Sequence, residues 1–531
     1  MLRIEKVPFN EINSLSFKDK FYQQNPERLK HFIEFTPDLD GLKDAIEVRR
    51  NRFPVDRALL VSVLQDQYTK SEPTDLQTQN IKDLQEENTF TIVTAHQPCL
   101  MGGPAYYFYK IYSTINLCRQ LSQKFNDCKF VPVFISGSED HDFDEVKSIF
   151  LYNKSIEWQN ESKGPVGRFS TAGLEEVIKN VQEILGHNDH VKEIISTFET
   201  ALYNANTYND FVFSWLNNFF GANGLIVLNM DDSRFKNAFA PHIKKEILER
   251  KSIHLIQKTQ DELSTLGFRP QAFARDINLF YMLDGLRERI YFENNQYHVN
   301  HTELVFSEAE IKQLIDEYPE RFSPNVIMRP IFQEYILPNI AYIGGGGEIA
   351  YWLERKSQFE YFGVFFPALI RRNSLMMMTK AVQKSMDKPG ITLHLLLKDE
   401  NKMITEYLEH VAEVDFHLAN EIEKVNQIFT SISERAKIID PTLAPYVLSE
   451  GHKVIKNIEG IEARLKKSIK HKEETAINQL KNIRQKLFPE NNLQERKESM
   501  LQYLSVEGMS LQDELIAICD PFEKSFLFLY F

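Results

Sequence analysis

The sequence predicts an α/β protein: a doubly wound parallel sheet with connecting insertions, joined to a long α-helical antiparallel hairpin. Up to about residue 394, buried strand patterns alternate with helix patterns, and beyond it apolar residues recur at heptad spacing. At 531 residues the chain is too long for one ordinary core. We therefore expect a core at 1–394, a helical hairpin at 395–488 and a C-terminal segment at 489–531 that returns to the core.

A βαβ unit is the strongest sign of the parallel sheet. "TFTIVTAHQ", which begins at Thr89, has the pattern of a buried strand, and "AYYFYKIYSTINLCRQL" has that of a helix packed on a sheet. "CKFVPVFISGS" then supplies a second strand. Two strands joined by a helix within about 50 residues are parallel and right-handed in nearly all proteins, so we expect the same here.

Further core strands are expected at "GLIVLNMDDSRFK", at "VFFPALIRR" and at the terminal "FLFLYF". Between them, insertions are predicted at about 147–222 and 250–325, the second with a small β element at "YFENNQYHV". The polar stretch at 68–88 is predicted to be a surface connection leading into the first strong strand.

The heptad pattern predicts two helices of roughly 40 residues, about 60 Å long. The first apolar seam consists of Ile404, Leu408, Val411, Leu418, Ile422, Val425, Phe429 and Ile432. The second follows the break at Pro441 and consists of Ile458, Leu465, Ile469, Ala476, Leu480, Ile483 and Leu487. An apolar stripe this long needs a partner, so we expect a homodimer, with an internal helical domain as the alternative.

Composition excludes several classes of function. The net charge of -13 argues against general binding to nucleic acid or to an anionic membrane. No run of about 18 apolar residues predicts a membrane span, and "MLRIEKVPFNEI" has no apolar signal region. The four cysteines show no CxxC spacing, which favours a reducing compartment. We therefore expect a cytoplasmic protein.

The first polar motif is "TAHQPCLMGGPAYYFYK", between the first strand and its helix. Here Gly102 and Gly103 could offer backbone N–H groups to a phosphate, with His96 and Gln97 beside it. A tight turn with a surface histidine is the alternative. Lys110, two turns into the helix, could meet the phosphate or extend into water. The phosphate-loop pattern GxxxxGK[ST] and the dinucleotide pattern GxGxxG are both absent from the sequence.

The second motif, "SGSEDHDFDEV", follows the second strand. It contains Glu139, Asp140, His141, Asp142, Asp144 and Glu145, and the first four are the predicted catalytic residues. Carboxylates around an imidazole raise its pKa and suit acid–base catalysis, and paired carboxylates can hold Mg²⁺ beside phosphates. A solvated loop is the alternative. A zinc site would need ligands such as Cys99, but no standard spacing supports one, so no metal ligand is predicted.

The third motif is "YIGGGGEIAYW". Four glycines, Gly344, Gly345, Gly346 and Gly347, precede Glu348 at the start of a predicted helix, and they favour a close backbone approach to a ligand over a flexible loop. Arg329, and Arg371 with Arg372, lie at other predicted strand ends, where arginine can bind phosphate or carboxylate.

These three motifs in this order, followed by a coiled coil and "LQER" at 493–496, resemble the bacillithiol biosynthesis cysteine-adding enzymes, a family of cysteine ligases. The resemblance spans nearly the whole chain. It implies a Rossmann-like core with connecting insertions, related in architecture to class I aminoacyl-tRNA synthetases. It also implies a coiled coil that pairs two subunits.

The resemblance implies a reaction that joins L-cysteine, through its carboxyl group, to the amine of glucosaminyl malate, giving bacillithiol. Because amide formation from a free carboxylate is uphill, it implies activation by ATP or another adenine nucleotide, with Mg²⁺ a possible companion. The glycine-containing loops would then hold phosphate or adenylate, and the arginines the malate carboxylates. His141 and its flanking acids would deprotonate or orient the attacking amine.

Two other functions fit the same residues. One is a nucleotidylyltransferase-like enzyme that activates a different small acid. The other is a coiled-coil dimeric scaffold with a non-catalytic nucleotide-binding core. Three polar motifs at predicted strand ends favour an enzyme, because ligands of open α/β sheets bind at the carboxyl ends of the strands.

Overall fold

The computed structural model describes residues 2–69, 71–386, 391–411 and 416–531. The chain divides into two compact units. The first comprises Met1–Asn10, Ser14–Met376 and Leu493–Leu529, and the second comprises Glu11–Asn13, Met377–Asn492 and Tyr530–Phe531.

The N-terminal part of the first unit is mainly helical. Its elements are β1 (Arg3–Pro8), α1 (Phe17–Gln24), α2 (Leu39–Arg52), α3 (Arg57–Tyr68) and α4 (Asp75–Asp83). Helix α4 lies within the surface connection predicted at 68–88. Thr74 caps this helix, and Gln77 returns a hydrogen bond to the cap residue. This reciprocal capping pattern was present in the sequence as T-x-x-Q.

The predicted βαβ unit is confirmed. It consists of β2 (Thr89–His96), α5 (Tyr106–Lys124) and β3 (Lys129–Ser136). β2 and β3 are parallel and paired over their full length, from Thr89 opposite Lys129 to His96 opposite Ser136. Both strands are almost entirely buried, which explains their continuous apolar pattern.

The first insertion is mostly helical and leads back to the sheet. Its elements, ending with the next core strand, are α6 (Phe143–Val146), β4 (Ser148–Leu151), β5 (Lys154–Glu157), α7 (Leu174–Leu185), α8 (Asp189–Tyr203), α9 (Tyr208–Phe220) and β6 (Ile226–Asn229). β6 pairs with β3 in parallel, as predicted for this segment.

The second insertion is larger than the small β element predicted from the sequence. It consists of α10 (Ser233–Glu249), α11 (Ser252–Ser264), β7 (Leu279–Leu283), β8 (Leu286–Glu293), β9 (Gln296–Val299), β10 (Val305–Phe306), α12 (Glu308–Glu317) and β11 (Phe322–Pro324). Its strands form a five-stranded antiparallel sheet in the order β10-β9-β8-β7-β11.

The chain then returns to the central sheet. The elements are α13 (Arg329–Ile336), β12 (Asn339–Gly344), α14 (Gly346–Leu353), α15 (Lys356–Phe362), β13 (Ala368–Arg371) and β14 (Leu375–Met378). Arg329 therefore begins a helix and does not end a strand. Pro330 follows it in the first turn, where proline's fixed φ suits a helix start.

The central sheet has five parallel strands in the order β13-β12-β2-β3-β6. Successive strands extend from β2 first to one side and then to the other, so the sheet is doubly wound and its order reverses at β2. The carboxyl ends of β2 and β12 therefore flank the crevice where ligands bind in such sheets.

The second unit is helical. Its helices are α16 (Lys380–Met386), α17 (Leu393–Leu396), α18 (Glu400–Val411), α19 (Ala419–Ile439), α20 (Leu443–Lys472) and α21 (Glu474–Leu487). Two further helices and a strand follow: α22 (Leu501–Glu507), α23 (Leu511–Ile518) and β15 (Ser525–Tyr530). The expected terminal strand forms, but it lies between β1 and β14 in a separate three-stranded sheet and does not join the central parallel sheet.

The hairpin is shorter than predicted. Its first seam is not one helix, because α18 ends at Val411 and residues 416–418 are not helical. α19 and α20 have 21 and 30 residues, and so are about 30 and 45 Å long. They pack antiparallel about a tight turn, with Phe429 against Gly451 and Ser433 hydrogen-bonded to Ala444. No helix in the described part of the chain is long and apolar enough to cross a membrane.

Two glycines of α20 provide a matched test of this packing. A Cβ at Gly451 would lie 2.9 Å from Cβ of Phe429, whereas a Cβ at Gly460 meets nothing within 4 Å. Gly460→Ala should stabilise the hairpin by about 1 kcal/mol through helix propensity. Gly451→Ala should gain the same helix propensity but lose about 1–3 kcal/mol because the new methyl group overpacks against Phe429. Its net effect on the stability of the hairpin should therefore be zero or unfavourable. Hydrogen exchange of α20 amides measures both, and equal stabilisation by the two variants would contradict this packing.

Candidate active site

A cavity of about 580 Å³ lies at the carboxyl ends of the central strands, within the first unit. Every strand of this sheet, or the loop that follows it, contributes to the cavity wall. The polar lining residues are His96, Gln97, Tyr106, Ser136, Ser138, Glu139, Asp140, Glu145, Asp231, Arg287, Asn325, Arg329, Glu348, Tyr351, Arg372 and Arg496, with Gly345, Gly346 and Gly347 beside them. Its volume is typical of a small-molecule site.

One end of the cavity is acidic and is formed by the loops after β3 and β6. Glu139 forms an ion pair with the fully buried Lys236 of α10. Asp140 accepts hydrogen bonds from Gln97 Nε2 and from its neighbour's backbone N–H, both at 2.8 Å. These bonds and Arg287 hold the pKa of Asp140 below its usual range, although burial opposes this. Asp231 accepts two hydrogen bonds from Arg168, at 3.0 and 3.1 Å.

Arg287 enters this end from the second insertion, on β8. Its Nε donates to Ser323 Oγ at 3.0 Å, and its guanidinium stacks on the ring of Phe280 at 4.0 Å. It lies 3.5 Å from the Asp140 carboxylate. Arg287 was not predicted as a site residue. It lies in the second insertion, and its local sequence does not indicate that it faces the end of a strand about 150 residues earlier in the chain.

His141 lies beside the cavity, outside the residues that line it. Its Nδ1 accepts a hydrogen bond from Arg287 Nη1 at 2.7 Å, and its ring packs on Phe280. Burial and then the Arg287 charge lower the pKa of His141, which corrects the expectation that neighbouring carboxylates raise it. Asp142 is exposed and precedes α6, likewise outside the lining.

The glycine loop forms the opposite end of the cavity, at the start of α14. Gly345 N–H donates to Glu348 Oε2 at 2.9 Å, which caps the helix. The N–H groups of Gly346 and Gly347 belong to the first helical turn, where no acceptor exists within the helix. Gly344 is the last residue of β12 and does not line the cavity.

Gly346 has a packing role that the sequence analysis did not foresee. A Cβ at this position would lie 1.9 Å from Asp19 Oδ1 of α1. Asp19 is fully buried and accepts hydrogen bonds from Arg371 at 2.9 and 3.1 Å. Arg371 is therefore half of a buried ion pair behind the loop, which corrects its prediction as a ligand-binding residue.

Three other arginines make this end of the cavity basic. Arg372 is 3% exposed, and its two Nη atoms bind Glu495 at 2.8 and 3.0 Å. Its Nε has no hydrogen-bond partner among the residues that the structure describes. Arg496 is exposed and lies 3.7 Å from Asp19. Arg329 donates to Tyr351 Oη at 3.0 Å. Arg372 follows Arg371 at a predicted strand end, whereas Arg496 closes the "LQER" stretch, for which no ligand role was predicted.

Lys110 lies beneath the cavity and reaches neither water nor the cavity itself. It is fully buried, and Nζ donates to the Ala95 carbonyl at 2.5 Å and to Glu348 at 2.8 Å. Burial alone would raise the pKa of Glu348, but Lys110 outweighs it and lowers that pKa to about 2. Glu348 is thus a fixed negative charge between the strands and α14.

His96 lines the cavity in neutral form. Its Nε2 lies 3.0 Å from Tyr106 Oη and its Nδ1 lies 3.1 Å from the Gln97 carbonyl. Burial and the nearby Lys110 charge lower the pKa of His96 to about 4.

The expected phosphate cradle at Gly102 and Gly103 does not form. Both glycines are buried, and their N–H groups donate to the carbonyls of Cys99 and Leu100 at 3.1 and 2.9 Å. Their positive φ angles of 83° and 51° serve the tight turn before α5. Within the described residues, no group of three His, Cys, Asp or Glu side chains is placed to hold a metal ion.

A doubly wound parallel sheet with a polar cavity at its switch point defines a Rossmann-like protein with a ligand site at the strand ends. The family model for the bacillithiol biosynthesis BshC N-terminal Rossmann-like domain matches residues 2–373. The model for the BshC C-terminal coiled-coil domain matches residues 375–531. The chain belongs to the BshC family of bacillithiol biosynthesis, which confirms the resemblance and the fold class.

Curated relatives carry the name "Putative cysteine ligase BshC". The protein from Christiangramia forsetii is 35% identical over 96% of both chains, and that from Flavobacterium johnsoniae is 36% identical over 95% of both. The Bacillus cereus protein is 27% identical over 93% of this chain and 94% of its own.

Among solved structures, a "putative arginyl T-RNA synthetase" from Campylobacter jejuni covers 85% of this chain and 99% of its own, at 10% identity and a TM-score of 0.24. A score this low supports no argument, so the architectural link to the synthetases stays a prediction.

The Lys110–Glu348 pair can be tested through its pH dependence. Lys110→Met leaves the half-buried Glu348 carboxylate without its cation, although Tyr342 Oη and Gly345 N–H still donate to it. The variant should lower the free energy of unfolding at pH 7 by about 1–3 kcal/mol. In the variant, burial should raise the pKa of Glu348 above the ordinary 4.5. Protonation then favours the folded variant as pH falls, while the wild type keeps its ion pair until below pH 4.5. Urea unfolding should therefore show a deficit that shrinks from pH 7 to pH 5.

The control for this test is Lys312→Met, which removes an exposed pair with Glu308 one helical turn away. It should change the free energy of unfolding by less than about 0.5 kcal/mol at both pH values. A Lys110→Met deficit that stays constant with pH would contradict the assigned charge state of Glu348.

Proposed function

We propose that this chain is a cysteine ligase that joins the carboxyl group of L-cysteine to the amine of glucosaminyl malate, forming bacillithiol. The observation that carries the proposal is the charge division of the cavity, with carboxylates after β3 and β6 and arginines near the start of α14. Glucosaminyl malate carries both matching groups, since its sugar bears an amine and its malate two carboxylates. The family names of the relatives support the same reaction.

The basic end would hold the malate carboxylates. Arg372 has an Nε–H without a protein acceptor, and Arg496 is exposed with one long ion pair. Arginine binds carboxylates through two parallel hydrogen bonds, which fixes their orientation as well as their charge.

Activation of the cysteine carboxyl by ATP or another adenine nucleotide belongs to this proposal. The N–H groups of Gly346 and Gly347, at the positive end of α14, would receive a phosphate. Mg²⁺ is usually held by one or two carboxylates together with substrate phosphates, so it would enter with the nucleotide. The nucleotide supplies the leaving group that makes amide formation favourable.

The acidic end would receive the sugar amine, with Asp140 and Glu139 facing it. His141 would act as a positioning residue, because its neutral imidazole binds Arg287, which in turn faces Asp140. Asp142 takes no part in this proposal, because it lies outside the cavity lining.

We also propose that the hairpin pairs two copies of the chain. Several apolar side chains of α19 and α20 are exposed: Ile428, Ile432, Leu443, Tyr446, Leu448, Val454, Ile461 and Leu465. A second copy of the same hairpin would cover them, as closed symmetric dimers do. The four cysteines are buried and unpaired, which suits a reducing cytoplasm.

Thiol profiling of a deletion strain by mass spectrometry tests the reaction. Loss of the gene should remove bacillithiol and accumulate glucosaminyl malate, and the wild-type chain should reverse both. Arg496→Met should restore at least tenfold less bacillithiol, because one charge-assisted contact to malate contributes about 1.5–3 kcal/mol.

Arg52→Met is the control, since Arg52 is exposed in the last turn of α2 and lies outside the cavity lining. It should restore wild-type thiols at equal protein level. Unchanged thiols in the deletion strain would refute the ligase proposal.

A further inference from the structure

Glu145 differs from the other carboxylates of the cavity. Four of them are each bound by a cation of the protein, in the pairs Glu139–Lys236, Asp140–Arg287, Asp231–Arg168 and Glu348–Lys110. Glu145, exposed on α6, lines the same cavity. In the described parts of the chain it has no hydrogen bond and no ion pair. Its negative charge is therefore available to a ligand.

A second polar group at this end also lacks a partner. Ser136, the last residue of β3, is 4% exposed and lines the cavity, and its buried Oγ has no hydrogen-bond partner in the described residues. A buried hydroxyl without a partner costs free energy that a bound ligand can recover. Glu145 and Ser136 thus line one cavity, and a primary ammonium group, with three donors and a positive charge, has the chemistry to bind a carboxylate and a hydroxyl.

We propose that Glu145 binds the amine of the sugar substrate and accepts its proton. This inference rests on the proposed function, and it assigns the catalytic base to a residue other than His141. His141 is bonded to Arg287 outside the lining, whereas Glu145 is inside it and unoccupied by any cation of the protein.

One proton passes from the ammonium nitrogen to the Glu145 carboxylate, which leaves a lone pair on nitrogen. That pair forms the C–N bond with the carbonyl carbon of activated cysteine. The C–O bond to the phosphoryl or adenylyl group breaks, and its electron pair leaves with that group. The second proton lost from nitrogen goes to the departing oxygen.

Isothermal titration calorimetry of the full-length protein tests this assignment with two probes. One is glucosaminyl malate, and the other is its N-acetyl analogue, which has the same carboxylates but no cation. The wild type should bind the amine probe about 10- to 100-fold more tightly, as expected of one charge-assisted hydrogen bond. Glu145→Gln should abolish this preference while binding the N-acetyl probe as the wild type does, which also shows that the variant is folded.

Two further variants keep the test specific. Asp144→Asn removes the adjacent exposed carboxylate, which pairs with Lys147 at 2.7 Å, and should keep the preference. Glu145→Asp retains the charge and should keep part of it. In the deletion strain, Glu145→Gln should accumulate glucosaminyl malate.

The possible results distinguish the role of Glu145 from the proposed ligase function. If Glu145→Gln keeps the full preference for the amine probe, the role of Glu145 is refuted while the ligase proposal stands. If the wild type binds neither probe, the ligase proposal itself fails, and the role of Glu145 fails with it.

Discussion

The ion pair between the fully buried Lys110 and the half-buried Glu348 is the interaction on which the site depends. It joins α5 to the first turn of α14, and through the Ala95 carbonyl it also fixes the end of β2. These elements meet where the strand order of the central sheet reverses. A buried pair of this kind is costly to desolvate and contributes little net stability. Its value is positional, because it holds the glycine loop against the strand ends.

The two ends of the cavity, on either side of this ion pair, have opposite charge. The basic end is supported from behind by Asp19, whose carboxylate packs on Gly346 and pairs with Arg371. The acidic end is supported by cations from the insertions, Lys236 and Arg287, which neutralise the inner carboxylates. In a site of low dielectric, such fixed charges orient a polar ligand without further rearrangement. A substrate with an amine on its sugar and carboxylates on its malate can therefore bind in one orientation.

The sequence predicts the strands and the strand-end motifs of this site better than it predicts which side chains pair with one another. The βαβ unit and the strand-end motifs are local patterns, so their placement could be predicted from periodicity alone. Arg371 and Arg372 show the limit: they are adjacent in sequence, yet one pairs with Asp19 and the other lines the cavity. Successive side chains at a strand end point to opposite sides, and the sequence does not reveal which side carries the ligand. Likewise, nothing near Gly102 indicates that its N–H is used within its own turn.

A crystal structure of the protein with glucosaminyl malate bound tests the central claim most directly. The account predicts the ligand in the strand-end cavity, with its malate carboxylates on Arg372 and Arg496 and its amine within hydrogen-bond distance of Glu145. A ligand bound outside this cavity, or with its amine toward the glycine loop, would contradict the account.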